Sequence, residues 1–270
     1  KTKSKHTLFP SISKAFPHKG KAFFLPYTLL YNIGTLGSLG SLKSLKTLKT
    51  LSPNLKKILS LHCINQAIME ENNLTLAEQL RFVKQSLRGV MNGVTSTSMR
   101  EKGLTYKVNF GVELPRLQAM AEELPHTYEL AAALWKEDIR ECRLLAAMLM
   151  PEADFCAELA DLWVEQMRFT EEAECTVMHL FARLPYASAK AFEWVAREEE
   201  MYRLCGWLLW ARLFMKQMKP GERDSYELLD QLESDLKGGE PRVARAALKA
   251  LLKYMELGEE EEARGEKLLP

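Results

Sequence analysis

Apolar residues from position 112 onward recur at spacings of three and four, in short blocks separated by breaks, the pattern of consecutive amphipathic helices. Residues 112–124 open with Glu113, carry Pro115 in the first turn, and place Leu117, Met120, Ala121 and Leu124 on one face. After a break at Pro125 and His126, residues 127–136 present Leu130, Ala131, Leu134 and Trp135. Asp138 stands where it could cap a third helix over residues 139–150, with Arg140, Glu141 and Arg143 as its charged positions and Leu144, Leu145, Met148 and Leu149 as its buried ones. Residues 154–167, 171–184, 187–197, 201–218, 225–236 and 241–257 continue the series. Pro185, the Lys-Pro-Gly run at 219–221 and the pair Gly238 and Gly239 punctuate it. The second helices of successive pairs begin near Ile139, Glu171, Met201 and Pro241, separations of 32, 30 and 40 residues. No alternating β-branched run competes with this pattern. It predicts an all-α chain of antiparallel helix pairs stacked as an α-solenoid.

Trp207 and Trp210 lie three apart in a helix that is apolar nearly all round, so they and Trp194 are expected in the core rather than on a base-stacking platform.

Charge divides the chain. The first 68 residues hold eleven lysines and no Asp, Glu or Arg, which leaves 26 basic and 36 acidic residues for positions 69–270. Leu36, Leu39, Leu42, Leu45, Leu48 and Leu51 repeat every third residue, a period that drifts by about 60° per step around a helix and builds no stripe. Residues 1–68 therefore read as a basic low-complexity segment, dispensable to the fold or upstream of the natural start. A transit peptide is the rival reading, against which stands the absence of arginine. At Met69 the character changes, and Thr75 and Glu78 follow at capping-box spacing. The expected organisation is a repeat domain at 69–257 and a disordered acidic tail at 258–270. The apolar stretch 23–33 is too short to span a membrane, so a soluble, cytoplasmic domain is expected.

The five cysteines are odd in number, widely spaced and mostly within apolar helix faces, which fits reduced thiols. No CxxC or HExxH pair and no strand-loop-helix phosphate motif is present, so neither a metal nor a cofactor is expected.

The order FGVELPRL followed by ELAAALWKEDIRECRLLAAML resembles the DNA alkylation repair family, the AlkD-like HEAT-repeat DNA glycosylases. That family shows a G-[VI]-x-x-P-x-[LR] helix start, an L-W pair and an E-x-R-x-x-A helix at this spacing. Here the positions are Gly111, Val112, Pro115, Leu134, Trp135, Glu141, Arg143 and Ala146, and the resemblance spans about residues 74–257. It implies a HEAT-like solenoid, double-stranded DNA as partner, and excision of N-alkylated purines. The family's W-D-x-x-D helix start, which supplies an aromatic to the deoxyribose and a catalytic carboxylate, falls on residues 170–174 with Phe169 just before it. Glu174 takes the carboxylate position and Thr170 replaces the aromatic. A second family aromatic falls at Lys249 and a family arginine near Cys205. The alternative is a non-enzymatic scaffold of the same fold that binds DNA or a protein partner, with Glu171, Glu172 and Glu174 merely first-turn acids favoured by the helix dipole; a monomer is expected on either reading.

DNA binding needs cations converging on one face. Arg242, Arg245, Lys249 and Lys253 recur at spacings of three and four on the last helix, and Arg140, Arg143, Arg168, Arg203, Arg212 and Lys216 lie on or near earlier second helices. The expected contacts are Arg143, Arg168, Arg203, Lys216, Arg242, Arg245, Lys249 and Lys253. The competing reading is a solvated helix face, which the acidity of residues 69–270 favours.

Overall fold

The computed structural model describes residues 74–269, so the expectations for residues 1–68 and for Cys63 lie outside it. The described residues form twelve α-helices and no strand. In chain order they are α1 (Leu76–Gly89), α2 (Gly93–Glu101), α3 (Leu114–Glu123), α4 (Tyr128–Trp135), α5 (Arg140–Leu149), α6 (Ala157–Gln166), α7 (Thr170–His179), α8 (Ala187–Val195), α9 (Glu200–Met215), α10 (Glu222–Lys237), α11 (Pro241–Met255) and α12 (Glu259–Gly265). α4 packs on α5, α8 on α9 and α10 on α11, while α5, α7, α9 and α11 lie side by side in that order. The second helices thus form one continuous row, as the repeat spacing predicts.

Local chemistry sets the boundaries. The capping box of α1 is made: the Thr75 N–H donates to Glu78 at 2.8 Å and the Glu78 N–H to the Thr75 hydroxyl at 3.4 Å. Pro115 sits in the first turn of α3, and Thr127 caps α4 through the Leu130 N–H.

The start of α5 differs from expectation. Ile139, not Asp138, occupies the cap position, and it forms a parallel bridge with Val108. The Arg140 N–H, one of the donors that a helix start leaves unpaired, is satisfied by the Val108 carbonyl at 3.1 Å. An extended neighbour does the work of a capping side chain. That neighbour, residues 106–113, is pinned to α2 by Asn92 N–H to the Phe110 carbonyl at 2.8 Å and Ser96 hydroxyl to the Asn109 carbonyl at 2.7 Å. Gly111 makes this approach possible: its φ is +71°, and a Cβ there would lie 2.2 Å from the Asn92 carbonyl oxygen.

The core is a chain of aromatic contacts running across the pairs. Trp135 stacks on Trp163 at 3.9 Å, Phe155 meets both Trp163 and Phe181, and Phe181 meets Trp194. Trp194, Trp207 and Trp210 are buried as expected, and two have acidic partners for their indole N–H: Asp161 for Trp194 at 2.8 Å and Asp235 for Trp207 at 2.6 Å.

Gly206 lets α9 close on α8, since a Cβ there would stand 2.9 Å from the Val195 nitrogen and 3.2 Å from the Ala191 carbonyl. Overpacking costs about 1–3 kcal/mol, whereas alanine's helix propensity returns only about 1 kcal/mol. Gly206→Ala is therefore expected to lower the urea midpoint. An unchanged or higher midpoint would show that the helix pair can spread.

The acidic tail corrects the expectation of disorder. Residues 259–265 form α12, which packs on α11. Glu259, Glu260, Glu261 and Glu262 fall in its first turn, where the helix dipole favours negative charge. Glu261 pairs with Lys219 at 2.8 Å, and the Arg264 guanidinium lies 5.1 Å over the Tyr226 ring. Among the described residues no helix is long and apolar enough to cross a membrane.

Candidate nucleic-acid interface

The site is built on the start of α7, and a buried charge network fixes that start. All ten residues of α5 are buried, including Arg140, Glu141 and Arg143, which the sequence pattern placed on a charged face. Glu141 accepts the Phe110 and Val112 N–H groups at 3.1 and 3.2 Å and pairs with Arg140 at 3.1 Å. The Arg140 Nε also reaches both oxygens of Glu171, at 3.0 and 2.9 Å, and its Nη1 donates to the Val112 carbonyl at 2.8 Å. Three residues further along α5, Arg143 pairs with Glu172 at 2.7 Å, donates to the Gln166 carbonyl at 2.8 Å and lies 4.2 Å over the Trp135 ring. Glu172 in turn accepts the Arg168 N–H at 2.7 Å and the Phe169 N–H at 3.4 Å. Glu171 and Glu172 are thus internal clamps as well as first-turn acids. Burial, and then the charges of Glu172 and Glu171, push the Tyr106 phenol far above its ordinary pKa, so it stays neutral against the Phe169 ring at 4.5 Å.

Glu174 is different. It is exposed and has no ion pair or hydrogen bond among the described residues. It lines a cavity of about 220 Å³ between α7, α9 and α11, closed by Leu114 at the start of α3. Cys175, Val177, Met178, Leu208, Ala211 and Met215 supply an apolar floor, and Arg212 and Lys249 supply two cations. Among the described residues no aromatic side chain lines it. Lys249, where the resemblance places a family aromatic, contributes a charge instead, and Cys205 is buried beside the Met167 sulfur, away from the cavity. The Cys175 thiol, pushed up to about 12 by burial, forms a neutral part of the wall. His179 at the end of α7 is held below the usual imidazole value by burial and then by Arg183 and Arg212.

The basic residues singled out in the sequence divide sharply. Arg143 is 9% exposed and cannot reach a phosphate. Arg203 is held by Asp235 at 2.7 Å and by Glu240, Arg242 by Glu200 at 2.8 Å, Arg168 by Asp138, and Lys253 by Glu256 at 2.6 Å. Lys216 donates to the Ala182 carbonyl. Arg245 and Lys249 are exposed and unpaired among the described residues, and Arg212, left out of the expected contacts, joins Lys249 at the cavity. A signal for the clamps was present in the sequence: Arg140 and Glu171 lie 31 apart and Arg203 and Asp235 32 apart, one repeat length in each case.

Stacked helix pairs with a charged depression along their second helices define a HEAT-like helical-repeat protein. A solved structure described as "a new family of proteins related to the HEAT-like repeat DNA glycosylases with affinity for branched DNA structures" shares this fold, with a TM-score of 0.64 at 16% identity over 70% of this chain and 81% of that one. The DNA alkylation repair enzyme family model matches residues 83–260, and the chain belongs to that family. No curated protein matches it.

Proposed function

We propose that the protein binds DNA through the exposed face of α7, α9 and α11 and does not excise bases. The observation that carries this reading is the lining of the cavity, where, among the described residues, one free carboxylate, Glu174, is outnumbered by the cations Arg212 and Lys249 and no aromatic is present. Base excision develops oxocarbenium charge on the sugar, which a carboxylate stabilises and nearby cations oppose. The same two cations suit phosphate. The fold neighbour's affinity for branched DNA supports the binding half of the reading. The net acidity of residues 69–270 makes long-range attraction weak, so binding rests on short-range contacts along this face.

Base release from alkylated duplex DNA tests it. The protein is expected to give no release above the spontaneous rate, with Glu174→Gln indistinguishable from the parent. Excision by the parent that falls at least about tenfold in Glu174→Gln, or roughly 1.4 kcal/mol of transition-state stabilisation, would overturn the reading and restore Glu174 as the catalytic carboxylate.

A further inference from the structure

We propose that the cavity between α7, α9 and α11 captures the ring of a single unpaired guanine at a branch or gap in DNA. The inference rests on the DNA-binding reading above and adds what the cavity itself recognises.

Size limits what the cavity can hold. At about 220 Å³ the cavity is smaller than the 300–1,000 Å³ of drug-sized ligand sites. It suits one ring system and not a base pair. Its floor and lip are apolar, with Leu208, Met178 and Met215 offering flexible side chains and thioether sulfur against the face of an aromatic ring.

The polar groups around the cavity set which ring it can hold. Glu174 enters from α7 and, when ionised, only accepts hydrogen bonds. Arg212 and Lys249 enter from α9 and α11 and only donate. Glu171 also borders the cavity, but Arg140 already engages both of its oxygens. The bound ring must therefore offer donors on one edge and acceptors on another. Guanine offers N1–H and the 2-amino group side by side on its pairing edge, and O6 and N7 side by side on the other. Adenine and cytosine each pair their single amino group with an acceptor nitrogen that would face the carboxylate. Thymine has one N–H flanked by two carbonyls. Only guanine satisfies the carboxylate and a cation at once without setting like against like.

The same polar groups select unpaired DNA. In a duplex the donor edge of guanine is occupied by cytosine, so Glu174 can reach it only where pairing is absent.

The test uses fluorescence anisotropy with three-armed DNA junctions that differ in one unpaired nucleotide at the branch point: guanine, inosine, adenine, cytosine or thymine. The guanine junction is expected to bind about tenfold more tightly than the adenine, cytosine and thymine junctions, the size of one good bidentate contact. Inosine, which keeps N1–H and lacks the 2-amino group, should fall between. Glu174→Gln should flatten the order while junction binding persists. Equal affinity for all five junctions, or a preference that survives in Glu174→Gln, would overturn guanine capture and leave DNA binding standing. Binding to none of them would overturn the DNA-binding reading itself, and this one with it.

Discussion

Glu141→Ala is expected to destabilise the fold by about 3–5 kcal/mol, because it removes the buried one of the two carboxylates that compensate Arg140 and leaves only the partly exposed Glu171. Glu141 is fully buried and Arg140 nearly so, with side-chain exposures of 0% and 3%. The substitution also orphans two buried backbone donors, Phe110 N–H and Val112 N–H, a further cost of about 1–3 kcal/mol each where water cannot replace the lost acceptor. Against a total stability of about 5–15 kcal/mol, much of the folded population is at risk. Urea denaturation of the parent and variant measures the loss. Replacing both partners, as in Arg140→Met with Glu141→Gln, should be milder than Glu141→Ala alone, since the under-compensated buried charge is removed and Glu171 is partly exposed to water. A cost below about 1 kcal/mol for Glu141→Ala would mean that water enters this region and the clamp is not sealed.

Arg245→Ala combined with Lys249→Ala is expected to lower the log–log salt slope of duplex binding by up to about two units, since each phosphate contact contributes about 0.9 through released counterions. Both side chains are exposed and free of acidic partners among the described residues. Helix content should hold or rise, because alanine favours α11 at least as well as either residue. Arg242→Ala and Lys253→Ala should change the slope little, as Glu200 and Glu256 already neutralise those cations. An unchanged slope in the double variant would make this face ordinary solvated surface.

The fold was legible in the sequence because helix periodicity, Pro115 and Pro241 in first turns, and the Thr75 and Thr127 caps all agree with one another. The site was legible only in part. Helical spacing shows which residues share a face, but not whether a face is turned to solvent or to the next repeat, and so Arg140 and Arg143 read as exposed. The same ambiguity placed Arg203 and Arg242 among free cations, although acids about one repeat away bind them. Arg212 belongs to the cationic stripe but not to the expected contacts for the opposite reason: one charge in an apolar helix carries no periodic signal, and only the packing of α9 between α7 and α11 brings it to the cavity. The acidic tail was misread because composition favours disorder, while the contacts that order it, from Lys219 and Tyr226, come from distant positions.

DNA binding by the unaltered protein is tested most directly by its affinity for branched and linear DNA between about 50 and 200 mM salt. Three free cations, Arg212, Arg245 and Lys249, predict binding that weakens with a log–log slope of about −2.7. Absence of binding at the lowest salt, or an affinity indifferent to salt, would contradict it.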